Sequence, residues 1–216
     1  MRPRVHNVLS YSVTLLVFWS VLLWRTRSLG ASLTLDAIVG AALWSAHFLR
    51  RSLESAFLHR YGKSSIGPGD YLTEYVYYWG FGAWIAWSLS APTHARPSTI
   101  ALALGLVVFT LAEAGNSRAH VMLRNLRPVG GSEKRVPRGF LFEWVSCPHY
   151  LCEISSWVGF NLATQTLAGA VFMIVGIGIL AAWAHTRHVA YRKEFDGANG
   201  RELYPAQRRA LLPGVF

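Results

Sequence analysis

The stretch ISSWVGFNLATQTLAGAVFMIVGIGILAAWAHT, residues 154–186, holds no charged side chain between Glu153 and Arg187. Its 33 residues are too many for one membrane crossing. A hydrocarbon layer of ~30 Å is spanned by roughly 20 helical residues, each rising about 1.5 Å. The polar triplet Thr164-Gln165-Thr166 divides the run, which predicts one span over about residues 140–163 and another over 167–183. Similar runs recur upstream. No Asp, Glu, Lys or Arg stands between Arg4 and Arg25; residues 28–49 contain the single acid Asp36; residues 75–95 are uncharged and aromatic; residues 97–115 carry only Glu113 near their end. The pattern predicts an all-α, multi-pass membrane helical bundle of about six transmembrane helices.

Composition agrees. Of 216 residues, 52% are hydrophobic and 15% charged, with nine Trp and a mean hydropathy of +0.28. Soluble domains carry about 25% charged residues, and disordered chains are polar and poor in aromatics. Two cysteines exclude a disulfide scaffold and the usual zinc ligand sets, so no metal centre is expected. The first run is long and shows no small-x-small cleavage site before Arg25, which favours a retained span over a signal peptide. There is no internal repeat, and the whole chain, residues 1–216, is expected to be one membrane domain.

The basic residues orient it. Alternate inter-span segments collect eighteen Lys and Arg against three (Arg25, Arg27 and Arg96), so both termini are expected in the cytosol. The net charge of +10 is then a property of one membrane face, suited to anionic lipid and phosphate. No independent basic domain exists, so no nucleic acid is expected as a partner.

Ionisable groups beside membrane spans are functional candidates, and three clusters qualify. In EAGNSRAHVMLRNLRP, Glu113, Asn116, His120, Arg124 and Arg127 follow at offsets of 3, 4, 4 and 3, one helix face leading into a loop with Lys134, Arg135 and Arg138. Guanidinium forks match phosphate oxygens; an interfacial basic helix explains the same spacing. In FLFEWVSCPHYLCEISSWVGF, Tyr150, Glu153 and Trp157 share a face, and Pro148 suits a first helical turn. A phenol there can donate a proton, and His149 and Trp157 are the candidates for substrate contact; an aromatic belt is the bland alternative. In AHFLRRSLESAFLHRYG, His47, Arg51 and Glu54 share a face, although Arg50 to Glu54 is also the spacing of an ordinary ion pair. No G-x-G-x-x-G turn, P-loop, G-x-S-x-G or H-E-x-x-H occurs, so a nucleotide would be held between helices and basic loops.

Together, RRSLESAFLHRYG, YVYYWGFGAWIAW, GNSRAHVMLRNLRP, FEWVSCPHYLCEISSWVGFNLATQ and the tail HVAYRKEF…YPAQRRALLPGVF resemble the steroid 5α-reductase superfamily, most closely its trans-2-enoyl-CoA reductase branch. The likeness covers about residues 45–216. It implies a membrane reductase using NADPH to saturate a double bond conjugated to a carbonyl. In this branch the substrate is a very-long-chain trans-2-enoyl-CoA in fatty-acid elongation, with other elongation enzymes as partners. By resemblance Tyr150 is the catalytic proton donor, and Glu54 matches a characteristic Glu, taken as a second catalytic residue. Asn116, Arg124, Arg127, Arg135, Glu153, His188 and Tyr191 match cofactor positions, and His120 is grouped with them. The location implied is the endoplasmic reticulum membrane in a eukaryote, or the inner membrane in a bacterium.

The chain also departs from the branch. Relatives usually begin with a ubiquitin-like domain followed by a Gln and a Glu near the first span; this chain starts too late for that domain and has neither residue before Asp36. Phe48 stands where relatives often carry Tyr, and the tail has the extra residues DGANGREL. A steroid or polyprenol reductase, a membrane methyltransferase using S-adenosylmethionine, and a non-catalytic elongase subunit are the competing readings.

Overall fold

A computed structural model describes residues 1–30, 32–61, 66–94, 96–126 and 135–216, with the side chain of Asn199 excepted. Six α-helices account for most of them: α1 (Pro3–Leu29), α2 (Leu35–Leu53), α3 (Pro68–Leu89), α4 (Thr99–Asn125), α5 (Pro148–Thr164) and α6 (Leu167–Glu194). Among the described residues there is no strand, only isolated bridges at Val145–Arg209 and Asp196–Leu203. Helices α1, α4 and α6 are long and apolar enough to cross a membrane.

Sequence chemistry sets the ends. Proline opens α1, α3 and α5, where its fixed φ costs nothing and its missing N–H is not needed. Gly30 closes α1 in the left-handed region at φ 58°, its N–H reaching the Arg27 carbonyl. The expected division near Thr164 is present: Gln165, at φ 46°, turns the chain between α5 and α6. The expected start of the fifth span is not. Phe140–Glu143 forms one 3₁₀ turn, and the α-helix begins only at Pro148, because residues 144–147 bond to the tail instead. Hydroxyls inside apolar helices turn back on their own backbone, as Ser156 does to Cys152 O (3.1 Å) and Thr164 to Phe160 O (2.8 Å).

The chain divides into two compact units, Met1–Phe109 with Trp157–Met173, and Thr110–Ser156 with Ile174–Phe216. The first has an aromatic core. Trp44, with no exposed surface, meets Phe18, Phe48, Trp157, Phe160 and Phe172 at centroid distances of 4.6–5.9 Å. Glycine makes the helix crossing beside it. A Cβ on Gly159 would stand 2.5 Å from Phe109 N and 2.8 Å from Gly105 O, so α4 and α5 touch backbone to backbone there. Within α6, Gly169 is tightly packed, whereas Gly178 faces open space. The buried acids of this unit are paired. Glu54 accepts from Arg50 (2.7 Å) and Arg51 (3.0 Å), and Asp36 lies 2.9 Å from His94.

Candidate active site

The second unit gathers most of the polar candidates. Asn116, fully buried on α4, donates from Nδ2 to the His149 carbonyl at 2.6 Å and fixes the first turn of α5. His120, one turn further on, lies 5.7 Å from the His149 ring, which in turn rests 4.2 Å from Tyr150. Tyr150 is buried, and its oxygen accepts from Arg187 Nε on α6 at 3.0 Å. With that lone pair engaged, the phenolic hydrogen remains available for donation.

Beside this pair, Ser146 Oγ sits 2.7 Å from both His188 Nδ1 and Tyr204 Oη. Tyr191 stacks on Tyr204 almost in parallel, at 5.5 Å and 6°. The tail is laid along the approach to α5: Ser146 N–H donates to Arg209 O (2.8 Å), Cys147 N–H to Ala210 O (3.2 Å), and Arg209 N–H to Trp144 O (3.0 Å). Arg208, only 1% exposed, lies over the Tyr204 ring. Glu143 lies 3.6 Å away, and among the described residues none of the three Arg208 guanidinium nitrogens has a hydrogen-bond acceptor. A buried guanidinium with donors to spare is chemically suited to an anion. At the rim, the hydrogen bond that the exposed Arg138 guanidinium donates to the Glu202 carboxylate holds it above its ordinary pKa.

The remaining predicted residues are placed as follows. Glu153 is buried on α5, Arg124 is half-buried on α4 with a contact to Asn125 Oδ1 (3.1 Å), and Arg135 is exposed. Arg127 and Lys134 lie outside the described residues. Glu54 and Trp157 belong to the first unit, where Glu54 is paired with two arginines and Trp157 packs 4.5 Å from His47. Spacing did not single out Arg187 or Arg208. Arg187 had one available signal, being the first charge after the 33-residue apolar run.

Residues 73–216 match the family model described as 3-oxo-5-alpha-steroid 4-dehydrogenase. The chain belongs to this family. The steroid-dehydrogenase match takes in Asn116, Tyr150, Arg187 and Arg208, and leaves Glu54 outside it. Among similar proteins, the very-long-chain enoyl-CoA reductase of Dictyostelium discoideum is 37% identical over 81% of this chain and 57% of its own length. A probable very-long-chain enoyl-CoA reductase of Caenorhabditis elegans is 36% identical over 80% and 57%. The 3-oxo-5-alpha-steroid 4-dehydrogenase 2 of Macaca fascicularis is 35% identical over 54% and 44%. The chain thus spans little more than half the length of the curated relatives it matches.

Proposed function

We propose that this steroid-dehydrogenase family member is an NADPH-dependent reductase of 2-enoyl thioesters, acting on long-chain or very-long-chain trans-2-enoyl-CoA in fatty-acid elongation. The observation that carries the reading is the buried Tyr150 phenol, held through its oxygen by Arg187. Sequence similarity to enoyl-CoA reductases supports the choice of acceptor.

The donor set suits a phosphate-bearing dinucleotide. Among the described residues, neither the buried Arg208 guanidinium nor Arg124 Nε has a hydrogen-bond acceptor. Arg124, Arg127 and Arg135 would meet phosphates, while Asn116, His120, Glu153, His188 and Tyr191 would line the rest. When bound, NADPH supplies the hydride for the β-carbon. Tyr150 gives its proton to the α-carbon, and the phenolate left behind faces the permanent charge of Arg187. Proton delivery of this kind contributes about 10²–10⁴ in rate. Asn116 keeps Tyr150 in place by locking the carbonyl of the preceding residue. Ser146 orients the His188 ring and the Tyr204 hydroxyl as one hydrogen-bonded unit. Six membrane spans, cytosolic termini and a single domain complete the proposal, because the eighteen-to-three division of basic residues would put the phosphate-binding side at the cytosolic face.

Titration of detergent-purified protein with NADPH and, separately, with S-adenosylmethionine tests the reading, followed by turnover with a long-chain trans-2-enoyl-CoA. Saturable NADPH binding and enoyl-dependent NADPH oxidation are expected. Binding of S-adenosylmethionine instead would sink the proposal.

A further inference from the structure

The first unit contains a second polar chain, built from residues the reductase reading does not use. α1 (Pro3–Leu29) carries no acid of its own, yet a carboxylate reaches it from α3. Glu74 Oε2 lies 2.9 Å from His6 Nε2, and Ser10 Oγ donates to Glu74 Oε1 at 3.2 Å. The other nitrogen of the imidazole, Nδ1, is 3.3 Å from the Tyr75 hydroxyl. His6 and Ser10 are fully buried, whereas Glu74 and Tyr75 are half-buried. The sequence of groups is therefore carboxylate, buried imidazole, accessible phenol.

This arrangement does more than fasten α1 to α3. One nitrogen of His6 is committed to Glu74, so the ring is fixed, and its other nitrogen holds the Tyr75 hydroxyl at the half-buried edge of the cluster. Tyr71, 6.3 Å from the imidazole, is the remaining titratable ring beside it. Tyr75 is also held flat: its ring stacks on Trp79 at 4.5 Å and 6°, and Trp79 Nε1 donates to the Ser10 carbonyl at 3.2 Å. Apart from His6, the described neighbour of the hydroxyl is the weak acceptor Met1 Sδ at 3.6 Å. An acid–imidazole pair in an apolar helical setting is expensive to keep, and here it ends on a rigid, reachable donor.

We propose that Glu74, His6 and Tyr75 form a carbonyl-binding subsite for a lipid acyl thioester, with Tyr75 as the contact and His6 and Glu74 as positioning residues. The choice of a thioester rests on the reductase reading; the donor geometry does not.

The test measures equilibrium binding of palmitoyl-CoA, which is saturated and cannot be reduced, together with NADPH affinity and thermal midpoint in detergent. Tyr75→Phe keeps the stacked ring and removes only the hydroxyl. It is expected to weaken palmitoyl-CoA binding about tenfold, the worth of one well-made hydrogen bond. Glu74→Gln should do the same, Glu74→Asp should restore part of the loss, and the Glu74→Gln/Tyr75→Phe double variant should bind no worse than either single one, since the two groups act as one unit. NADPH affinity should stay constant throughout. Unchanged palmitoyl-CoA affinity in Tyr75→Phe, with or without a lowered midpoint, would reduce the chain of groups to a helix clasp and overturn the proposal, as would absence of palmitoyl-CoA binding by the parent protein. If the parent binds palmitoyl-CoA through Tyr75 but never oxidises NADPH with an enoyl-CoA, the reductase reading fails and the subsite stands.

Discussion

The aromatic core around Trp44 and the polar cluster around Ser146 solve opposite problems. In the first unit, rings bury apolar area and the buried acids have cationic partners close by, as Glu54 has Arg50 and Arg51. In the second, Arg208 is buried with no hydrogen-bond acceptor among the described residues, and Tyr150 is held by Arg187 through its oxygen. Matched groups and packed rings supply stability; mismatched ones leave binding free energy for a ligand. The reductase reading proposed above draws its donors from the second unit, where Tyr150 and Arg208 lie.

The sharpest way to break this contrast is Tyr150→Phe. It should reduce turnover by about 10²–10⁴ with NADPH affinity retained; full activity in a coupled absorbance assay would remove the phenol from the chemistry. Trp44→Ala comes next. It should cost about 3–5 kcal/mol of stability by leaving a large cavity, read as a lowered unfolding midpoint, with NADPH affinity unchanged in whatever protein remains folded. Gly159→Ala should cost about 1–3 kcal/mol or more, because the new methyl would meet the Phe109 backbone; an unchanged midpoint would show that the crossing can open freely.

A subtler outcome separates the units more cleanly. Arg208→Met should leave the midpoint nearly unchanged, since its ion-pair partner Glu143, 3.6 Å away, is exposed enough to be solvated once the guanidinium is gone, yet it should weaken NADPH binding about tenfold. A lower midpoint with unchanged affinity would make Arg208 a structural anchor. Arg138→Ala is the smallest effect. Its pair with Glu202 is exposed, so stability should move by less than about 0.5 kcal/mol in a melting experiment.

Much of the architecture was legible from charge-free runs and punctuation. The break near Gln165 and the proline starts follow from local chemistry that acts within a few residues. The Arg50–Glu54 pair was equally local, at four-residue spacing. The late start of α5 was not legible, because it depends on the tail bonding to residues 144–147, some 60 positions away in sequence. Tyr150 and Asn116 could be picked out by type and periodicity; that they are joined through the His149 carbonyl is a tertiary fact no spacing encodes. Arg208 escaped for the same reason. In a chain with 21 Lys and Arg, nothing in its immediate neighbours marks it as the one to be enclosed.

The pairing of the tail with residues 144–147 has a further consequence. Extended chain alternates its side chains, and accordingly Arg208 points in, Arg209 out and Ala210 in. Adjacent identical residues thus take opposite roles: Arg208 is enclosed over the Tyr204 ring, while Arg209 is exposed and holds the tail through its backbone, so a chain with Gln in place of Arg209 should keep this pairing intact.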